Sequence, residues 1–377
     1  MNVLIVPDKF KGSLSALEVC DAIKDGASEF DDSINIEIQP LADGGEGTID
    51  IISTYVNCEK REIKVRNPIG EMINAEYLFC GKSAYIELAK ASGLILLDKK
   101  DRNPLYTDTF GTGQLILDAI DLGAKEINVF VGGSASNDAA MGIAVALGIR
   151  FLDSKGQNLA PIGINLNRIS KIYRSGLKFT PQTVEFNIFS DVSNVMYGEN
   201  GAAHSFAGQK GASNEDILFL DEGLSHFANV LKSIYNVDVS NVEGGGAAGA
   251  VVAGMKAMFN AKIRSGIDEI VEITQLENKI KNADLVVTGE GGLDKYSFKG
   301  KVVGKVLELV KKYDKKAMVF AGQNLLNKSF DFSENNIAID SVLSYTTDIE
   351  DAIQNASYYL KIMMIHGLNS LKKEKKM

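Results

Sequence analysis

Val3-Leu4-Ile5-Val6-Pro7-Asp8-Lys9-Phe10-Lys11-Gly12-Ser13 stands almost at the start of the chain and decides how the rest is read. Val3 to Val6 is a short apolar run without alternation, the pattern of a strand covered on both faces of a parallel sheet. A polar loop, Pro7 to Ser13, follows it. From Ala16 the spacing of Leu17, Val19, Cys20 and Ile23 predicts an amphipathic helix. Ile34 to Ile38 alternates as a second strand, and Ala42-Asp43-Gly44-Gly45-Glu46-Gly47-Thr48 opens a helix over Ile49 to Tyr55. Strand, loop, helix and strand form a βαβ unit.

Similar units recur near the C-terminus. Leu285 to Thr288 reads as an apolar strand ending in a loop, Gly289-Glu290-Gly291-Gly292, and Val302 to Val310 as a helix. Ala317 to Phe320 and Ser341 to Leu343 read as strands, and Ile349 to Leu368 as one closing helix. These strands are expected to join the first two in one doubly wound sheet. From Lys60 to about Ala84 the pattern changes to alternating stretches with turn signals, as in an antiparallel or mixed sheet. A strongly glycine-punctuated region follows. The expected organisation is therefore α/β, with a discontinuous domain of residues 1–60 and 282–377 and an inserted α/β domain of residues 61–281.

Composition narrows the function classes. In 377 residues, 49 acids face 40 bases, a net charge of −9, which argues against the clustered positive face that nucleic acid requires. Three cysteines, Cys20, Cys58 and Cys80, are odd in number and widely spaced without C-x-x-C, so neither a disulfide framework nor a zinc site is expected. A reduced cytoplasmic compartment fits that usage. The N-terminus lacks a basic, then apolar, leader pattern, and no apolar run reaches the ~20 residues of a membrane span. Soluble, with no membrane or nucleic-acid partner, is the expectation.

Five glycine-rich segments carry the chemical signal. In Val131-Gly132-Gly133-Ser134-Ala135-Ser136-Asn137-Asp138 an apolar strand runs into paired glycines and small hydroxyl residues, which suits an anion at free N–H groups. Equally, Asn137 or Asp138 can simply cap the next helix. Pro7 to Ser13 offers two lysines where open α/β sheets place ligands, against the alternative of an exposed polar turn. Asp43 and Glu46 suit a cation or a hydroxyl acceptor, and a helix entry explains Glu46 as well. Thr288 to Asp294 brings two acids near Lys299 and Lys301. Gly244 to Gly249 matches G-x-G-x-x-G only formally, and close packing by small residues explains it better.

Established motifs fail. Gly81-Lys82-Ser83 has Glu76 where a P-loop needs glycine, and neither H-R-D, D-F-G nor G-x-S-x-G occurs. An inventory of carboxylates, lysines and glycine loops suits phosphoryl transfer, which depends on positioning and charge neutralisation.

Val6-Pro7-Asp8-Lys9-Phe10-Lys11-Gly12-Ser13-Leu14-Ser15-Ala16, Pro40 to Thr48, Arg102-Asn103-Pro104-Leu105-Tyr106-Thr107-Asp108-Thr109-Phe110-Gly111-Thr112-Gly113 and Gly132 to Asp138 resemble the signature blocks of the bacterial type I glycerate kinases. Phe206 to Ala212, Gly246 to Gly249, Arg264 to Asp268 and Thr288 to Gly291 continue the resemblance, in order, over most of the chain. It implies a flavodoxin-like doubly wound domain interrupted by a second, inserted α/β domain. It also implies ATP and Mg²⁺ as co-substrates, D-glycerate as acceptor and 2-phosphoglycerate as product. Similar members often carry Arg at the position of Gly292, Gln at Tyr296 and Pro at Gly208. These departures leave a non-catalytic glycerate- or nucleotide-binding sensor as the alternative, with Lys295, Lys299 or Lys301 replacing the arginine's charge if the chain is active.

Within that reading Asp8, Lys9, Ser13, Arg66 and Arg102 are the candidates for the glycerate, with Lys11 beside them as a catalytic cation. Asp43 or Asp191, the latter at the end of an apolar strand, is the candidate proton acceptor. Gly132, Gly133, Ser134, Ser136 and Asn137 are the candidates for the ATP phosphates, and Glu290 and Asp294 for Mg²⁺.

Overall fold

The computed structural model describes residues 1–42, 44–295, 297–298, 300–326 and 336–374. Asp43, Tyr296 and Lys299 lie outside the described residues. The chain divides into two compact units, one of Met1–Asp43 with Ile267–Met377 and one of Gly44–Gly266.

The discontinuous unit is built on five parallel strands. Their order across the sheet is Asn35–Ile38, Asn2–Ile5, Leu285–Leu293, Lys316–Asn324 and Ile337–Ser341. In order of occurrence that is 2-1-3-4-5, the flavodoxin-like arrangement. Val3 and Ile5, with Leu285, Val287, Met318 and Phe320, face a layer made by Val19 and Ile23 of helix Ala16–Phe30 and by Leu360 and Met364 of helix Ala356–Glu374. Ser15 starts the first of these helices with a reciprocal cap. Its hydroxyl accepts the Glu18 N–H at 3.3 Å, and the Glu18 carboxylate accepts the Ser15 N–H at 2.7 Å.

Three local expectations change. The strand expected to stop at Thr288 runs on to Leu293, because Glu290 and Gly292 pair with Ala321 and Gln323 of an equally long neighbour. The last strand is Ile337–Ser341, so the strand expected over Ser341 to Leu343 ends at its first residue and Val342–Ser344 is a 3₁₀ turn. The closing helix is two, Ile349–Gln354 and Ala356–Glu374, separated at Asn355.

The Gly44–Gly266 unit holds a six-stranded mixed sheet ordered Lys262–Arg264, Glu185–Phe189, Glu126–Phe130, Ser83–Glu87, Met72–Cys80 and Glu59–Arg66. The first four strands are parallel and the last two antiparallel, in keeping with the alternating pattern from Lys60. Helices Phe110–Asp121, Met141–Ala146, Asn214–Tyr235 and Ala247–Phe259 pack into its core through Leu115, Ile143, Leu224 and Val251. Helix Thr48–Tyr55, expected in the other unit, belongs here because Ile49 donates its N–H to the buried Glu87 at 2.8 Å. Helix Leu276–Asn282 belongs instead to the discontinuous unit, where Lys279 meets Glu37 at 2.9 Å.

The cysteine arithmetic is corrected. Cys58 and Cys80 are disulfide-bonded with Cα atoms 4.3 Å apart, and Cys20 is free and buried. Sequence spacing hid the pair because antiparallel pairing of Glu59 with Phe79 brings the two ends of a long hairpin together. Non-reducing peptide mapping of the oxidised protein is expected to recover a Cys58–Cys80 linked peptide, with Cys20 alkylated only after denaturation. Recovery of both cysteines as alkylated thiols from native protein would refute this.

Candidate active site

In an open parallel sheet, side chains and loops beyond the carboxyl ends of the strands face the ligand. The Gly44–Gly266 unit has four such ends, at Glu87, Phe130, Phe189 and Arg264. The loops there are packed backbone to backbone. A Cβ on Gly132 would stand 2.8 Å from the Gly45 Cα, and one on Gly44 would stand 3.1 Å from the Gly266 Cα. Glycine is required where main chains approach this closely. Gly133 is exposed with φ of 73°, and Gly132 is half-buried. Among the described residues no acceptor takes the N–H of Gly132, Gly133 or Ser134. Of these three adjacent donors Gly132 and Gly133 reach the surface, whereas Ser134 is buried.

Behind this loop lies a buried polar network. The Asp138 carboxylate accepts the N–H and hydroxyl of Thr109 at 2.9 and 2.7 Å, the Gly142 N–H at 3.0 Å and the Ser136 hydroxyl at 3.0 Å. Burial raises its pKa against those bonds. Lys210 is 2% exposed and donates to the Ser134 hydroxyl at 2.8 Å and the Ser136 carbonyl at 2.6 Å. Burial brings its ammonium down to about 7, with Asp138 opposing the shift. Ser136 and Asn137 thus lie behind the loop, fully buried, while Gly132 and Gly133 form its outer surface. The helix-cap reading of Asp138 also holds, since its carboxylate takes the Gly142 N–H in the first turn of Met141–Ala146.

Asp191 is half-buried at the end of Glu185–Phe189, and both its carboxylate oxygens accept the Gly266 N–H at 3.1 Å. Arg66 is exposed, with its guanidinium 4.7 Å above the Phe110 ring, and Arg102 donates from Nε to the Leu97 carbonyl at 3.3 Å. The segment read as packing, Gly244 to Gly249, does pack. A Cβ on Gly249 would fall 2.2 Å from the Ser136 carbonyl oxygen.

The other expected residues belong to the discontinuous unit. Pro7–Ser13 leaves the strand Asn2–Ile5 beside Leu285–Leu293, where the strand order reverses. Asp8 donates its N–H to the Gly289 carbonyl at 2.9 Å, and a Cβ on Gly291 would stand 3.2 Å from the Lys11 nitrogen. Lys11 is exposed and Lys9 half-buried. The Asp8 carboxylate accepts the Lys9 N–H at 2.7 Å, and Ser13 donates its hydroxyl to the Ile353 carbonyl at 2.6 Å. Glu290, 8% exposed, has Lys301 at 3.8 Å, whereas Asp294 caps a turn by accepting the Ser297 N–H at 3.1 Å. Among the described residues no group of three His, Cys, Asp or Glu side chains is arranged to hold a metal alone.

Sequence reasoning missed Lys210, Asp108 and Glu87. Burial pushes the Asp108 carboxyl up to about 7, with Asp138 adding to the rise and the Phe110 N–H and Arg66 opposing it. Glu87 ends the run Ala84-Tyr85-Ile86-Glu87, the same strand-then-acid signal that picked out Asp191. Its burial raises it to about 7. Nothing local in the sequence marks Lys210 as buried.

Comparison with known proteins gives one answer. The profile described as Glycerate kinase family matches residues 3–369. A glycerate kinase of Halalkalibacterium halodurans is 37% identical over 364 residues, covering 96% of this chain and 95% of that protein. Glycerate 2-kinase of Escherichia coli K12 is 39% identical over 359 residues, 94% of each chain. A crystal structure assigned as glycerate kinase 2 of Salmonella typhimurium LT2 superposes with a TM-score of 0.81 at 34% identity, over 100% of both chains.

Glu87 gives a pH test. A glutamate in the unfolded chain ionises near 4.5, whereas the folded protein keeps Glu87 protonated up to about 7. Between those values the folded state holds the extra proton, so this stabilising contribution, full below 4.5, is lost as pH rises through 7. Glu87→Gln keeps the acceptor for Ile49 and cannot ionise. Urea unfolding is expected to show the variant gaining on the wild type by up to ~3 kcal/mol across that window. A constant difference at all pH values refutes the assignment.

Proposed function

The chain belongs to the glycerate kinase family, and on that premise we propose that it transfers the γ-phosphoryl group of ATP to D-glycerate, giving 2-phosphoglycerate. The observation carrying this reading is the run of adjacent Gly132, Gly133 and Ser134 N–H groups, unpartnered among the described residues, in the loop that follows a parallel strand. A polyphosphate presents several acceptor oxygens in succession and needs that kind of row. Lys210 and Asp138 keep the loop in place from behind through Ser136, whose carbonyl and hydroxyl they engage, while the buried Asn137 makes no side-chain hydrogen bond among the described residues.

The glycerate carboxylate and hydroxyls need a cation and polar donors. Lys9, Lys11 and Asp8 supply these at the strand switch point, with Arg66 and Arg102 as further cations and Ser13 fixing the loop to the Ile353 carbonyl. Asp191, or Asp43, accepts the proton of the attacking hydroxyl. That oxygen forms the new bond to γ-phosphorus as the bond to the β,γ-bridging oxygen breaks, and ADP leaves. Glu290 and Asp294 suit Mg²⁺ as two carboxylates flanking one strand end, because Mg²⁺ takes one or two protein carboxylates together with phosphate oxygens and water. When bound, Mg²⁺ supplies charge neutralisation across the phosphates.

With purified protein, ATP, Mg²⁺ and D-glycerate, ADP release is expected to depend on glycerate. Enolase added without a mutase should consume the product, which separates 2- from 3-phosphoglycerate. Glycerate binding without ADP release would sink the reading in favour of a sensor.

Gly132→Ala is expected to raise the KM for ATP by about tenfold or more, equivalent to ~1.4 kcal/mol of lost binding, with the glycerate KM much less affected. An unchanged ATP KM would remove the loop from the donor site.

A further inference from the structure

The Gly44–Gly266 unit carries a second concavity, at the opposite ends of the same parallel strands. Lys125, Glu185 and Lys262 stand where Glu126–Phe130, Glu185–Phe189 and Lys262–Arg264 begin, whereas the candidate active site lies where those strands finish. Five residues of strand separate the two, about 15 Å. The concavity measures about 680 Å³, within the range of small-molecule sites.

Its chemistry is uneven in a useful way. The floor is apolar and aromatic, with the Phe186 and Phe259 rings 5.4 Å apart and Met258 beside them. The rim carries three cations, Lys125, Arg174 and Lys262, and one acid, Glu185. Glu185 is committed to Lys262 at 2.6 Å. Among the described residues neither Lys125 nor Arg174 has a carboxylate within ion-pair distance. Two uncompensated cations at one hollow run against a chain whose net charge is −9. Tyr235 adds a directional group. The Arg174 guanidinium lies 5.1 Å from the centre of its ring, and its hydroxyl is buried with no hydrogen-bond partner among the described residues. A buried hydroxyl without a partner costs free energy that a ligand oxygen, or a water, recovers.

From this combination we propose that the concavity binds a small organic anion, a carboxylate or phosphate ester on an aromatic or branched apolar body. The body lies on Phe186, Phe259 and Met258. Lys125 and Arg174 take the charge, and the Tyr235 hydroxyl donates to one of its oxygens. This is a site separate from the glycine loops, and it does not depend on the kinase reading.

Calorimetric titration of the full-length protein with phenyl phosphate, 3-phenylpropionate and the neutral 3-phenylpropanol tests it. At least one of the two anions should bind with the alcohol about tenfold weaker or worse, the size expected for a lost charge-assisted contact. The preferred anion then distinguishes the phosphate from the carboxylate class. Arg174→Glu and Lys125→Glu should each weaken that anion about tenfold or more, and Tyr235→Phe by about threefold or more. Gly132→Ala should bind it as the wild type does. Thermal melting checks that each variant is folded, and Lys125→Glu serves if Arg174→Glu is not. Absence of binding by both anions, equal binding of the alcohol, or unchanged affinity in the folded charge variants overturns the proposal.

Discussion

Two buried charges of opposite sign hold the Gly132–Asp138 loop in shape. Asp138 gathers the Thr109 N–H and hydroxyl, the Gly142 N–H and the Ser136 hydroxyl, so one carboxylate fixes the starts of two helices and the loop between them. Lys210 reaches the same loop, on the Ser134 hydroxyl and the Ser136 carbonyl. Burial disfavours both charged forms and shifts each towards neutrality, yet the bonds they make are numerous and short. Removing either partner strands polar groups in a space water cannot enter. The Asp138 carboxylate and the Lys210 ammonium are thus satisfied inside the loop, whereas the buried Asn137 side-chain amide has no hydrogen-bond partner among the described residues.

Backbone strain points to the same place. Ala139 and Ala140 have φ of 48° and 63°, and Ala248 and Ala250 have 54° and 67°. A residue with a Cβ pays roughly 1–2 kcal/mol in this region, so such conformations persist only where surroundings over-determine them. Here the two strained runs meet. The Ala139 N–H donates to the Gly249 carbonyl at 3.0 Å, and Gly249 lies too close to the Ser136 carbonyl to admit any side chain. Small residues at Gly244 to Gly249 thus serve the anion loop indirectly, by letting a helix start press against its back. Donors held this rigidly need little reorganisation when charge arrives.

The scaffold was largely legible in the sequence because its signals are local. The buried run Val3 to Val6, the helix spacing from Leu17 and the alternation from Lys60 each specify an element within a few residues. What stayed hidden depends on pairing between distant segments. Glu290 reads as part of a glycine loop until a long partner strand extends the ladder past it. Cys58 and Cys80 look unrelated until a hairpin register aligns them. Lys210 stands between Gly208 and Gly211, the pattern of an exposed turn, and only the packing of its segment against Ser134 reveals a buried ammonium. At the candidate site, the glycines could be found by composition. The direction in which Ser136 and Asn137 face could not, since one residue separates the surface of a tight loop from its buried side.

Under the proposed function the two units of an acidic chain would hold anions in different ways. At the Gly132 loop the proposed donors are main-chain N–H groups, which carry no formal charge and so add nothing to the balance that leaves the molecule at −9. They suit a ligand with many acceptor oxygens in a row. In the discontinuous unit the strand order 2-1-3-4-5 sends the chain away in opposite directions after Asn2–Ile5 and after Leu285–Leu293, opening a crevice between the two strand ends. The charged side chains there are Lys9, Lys11 and Lys301, with Asp8 and Glu290 among them. Under the proposed function, backbone donors would serve at the Gly132 loop and side-chain cations at the Lys9 loop, each loop following a parallel strand of its own sheet.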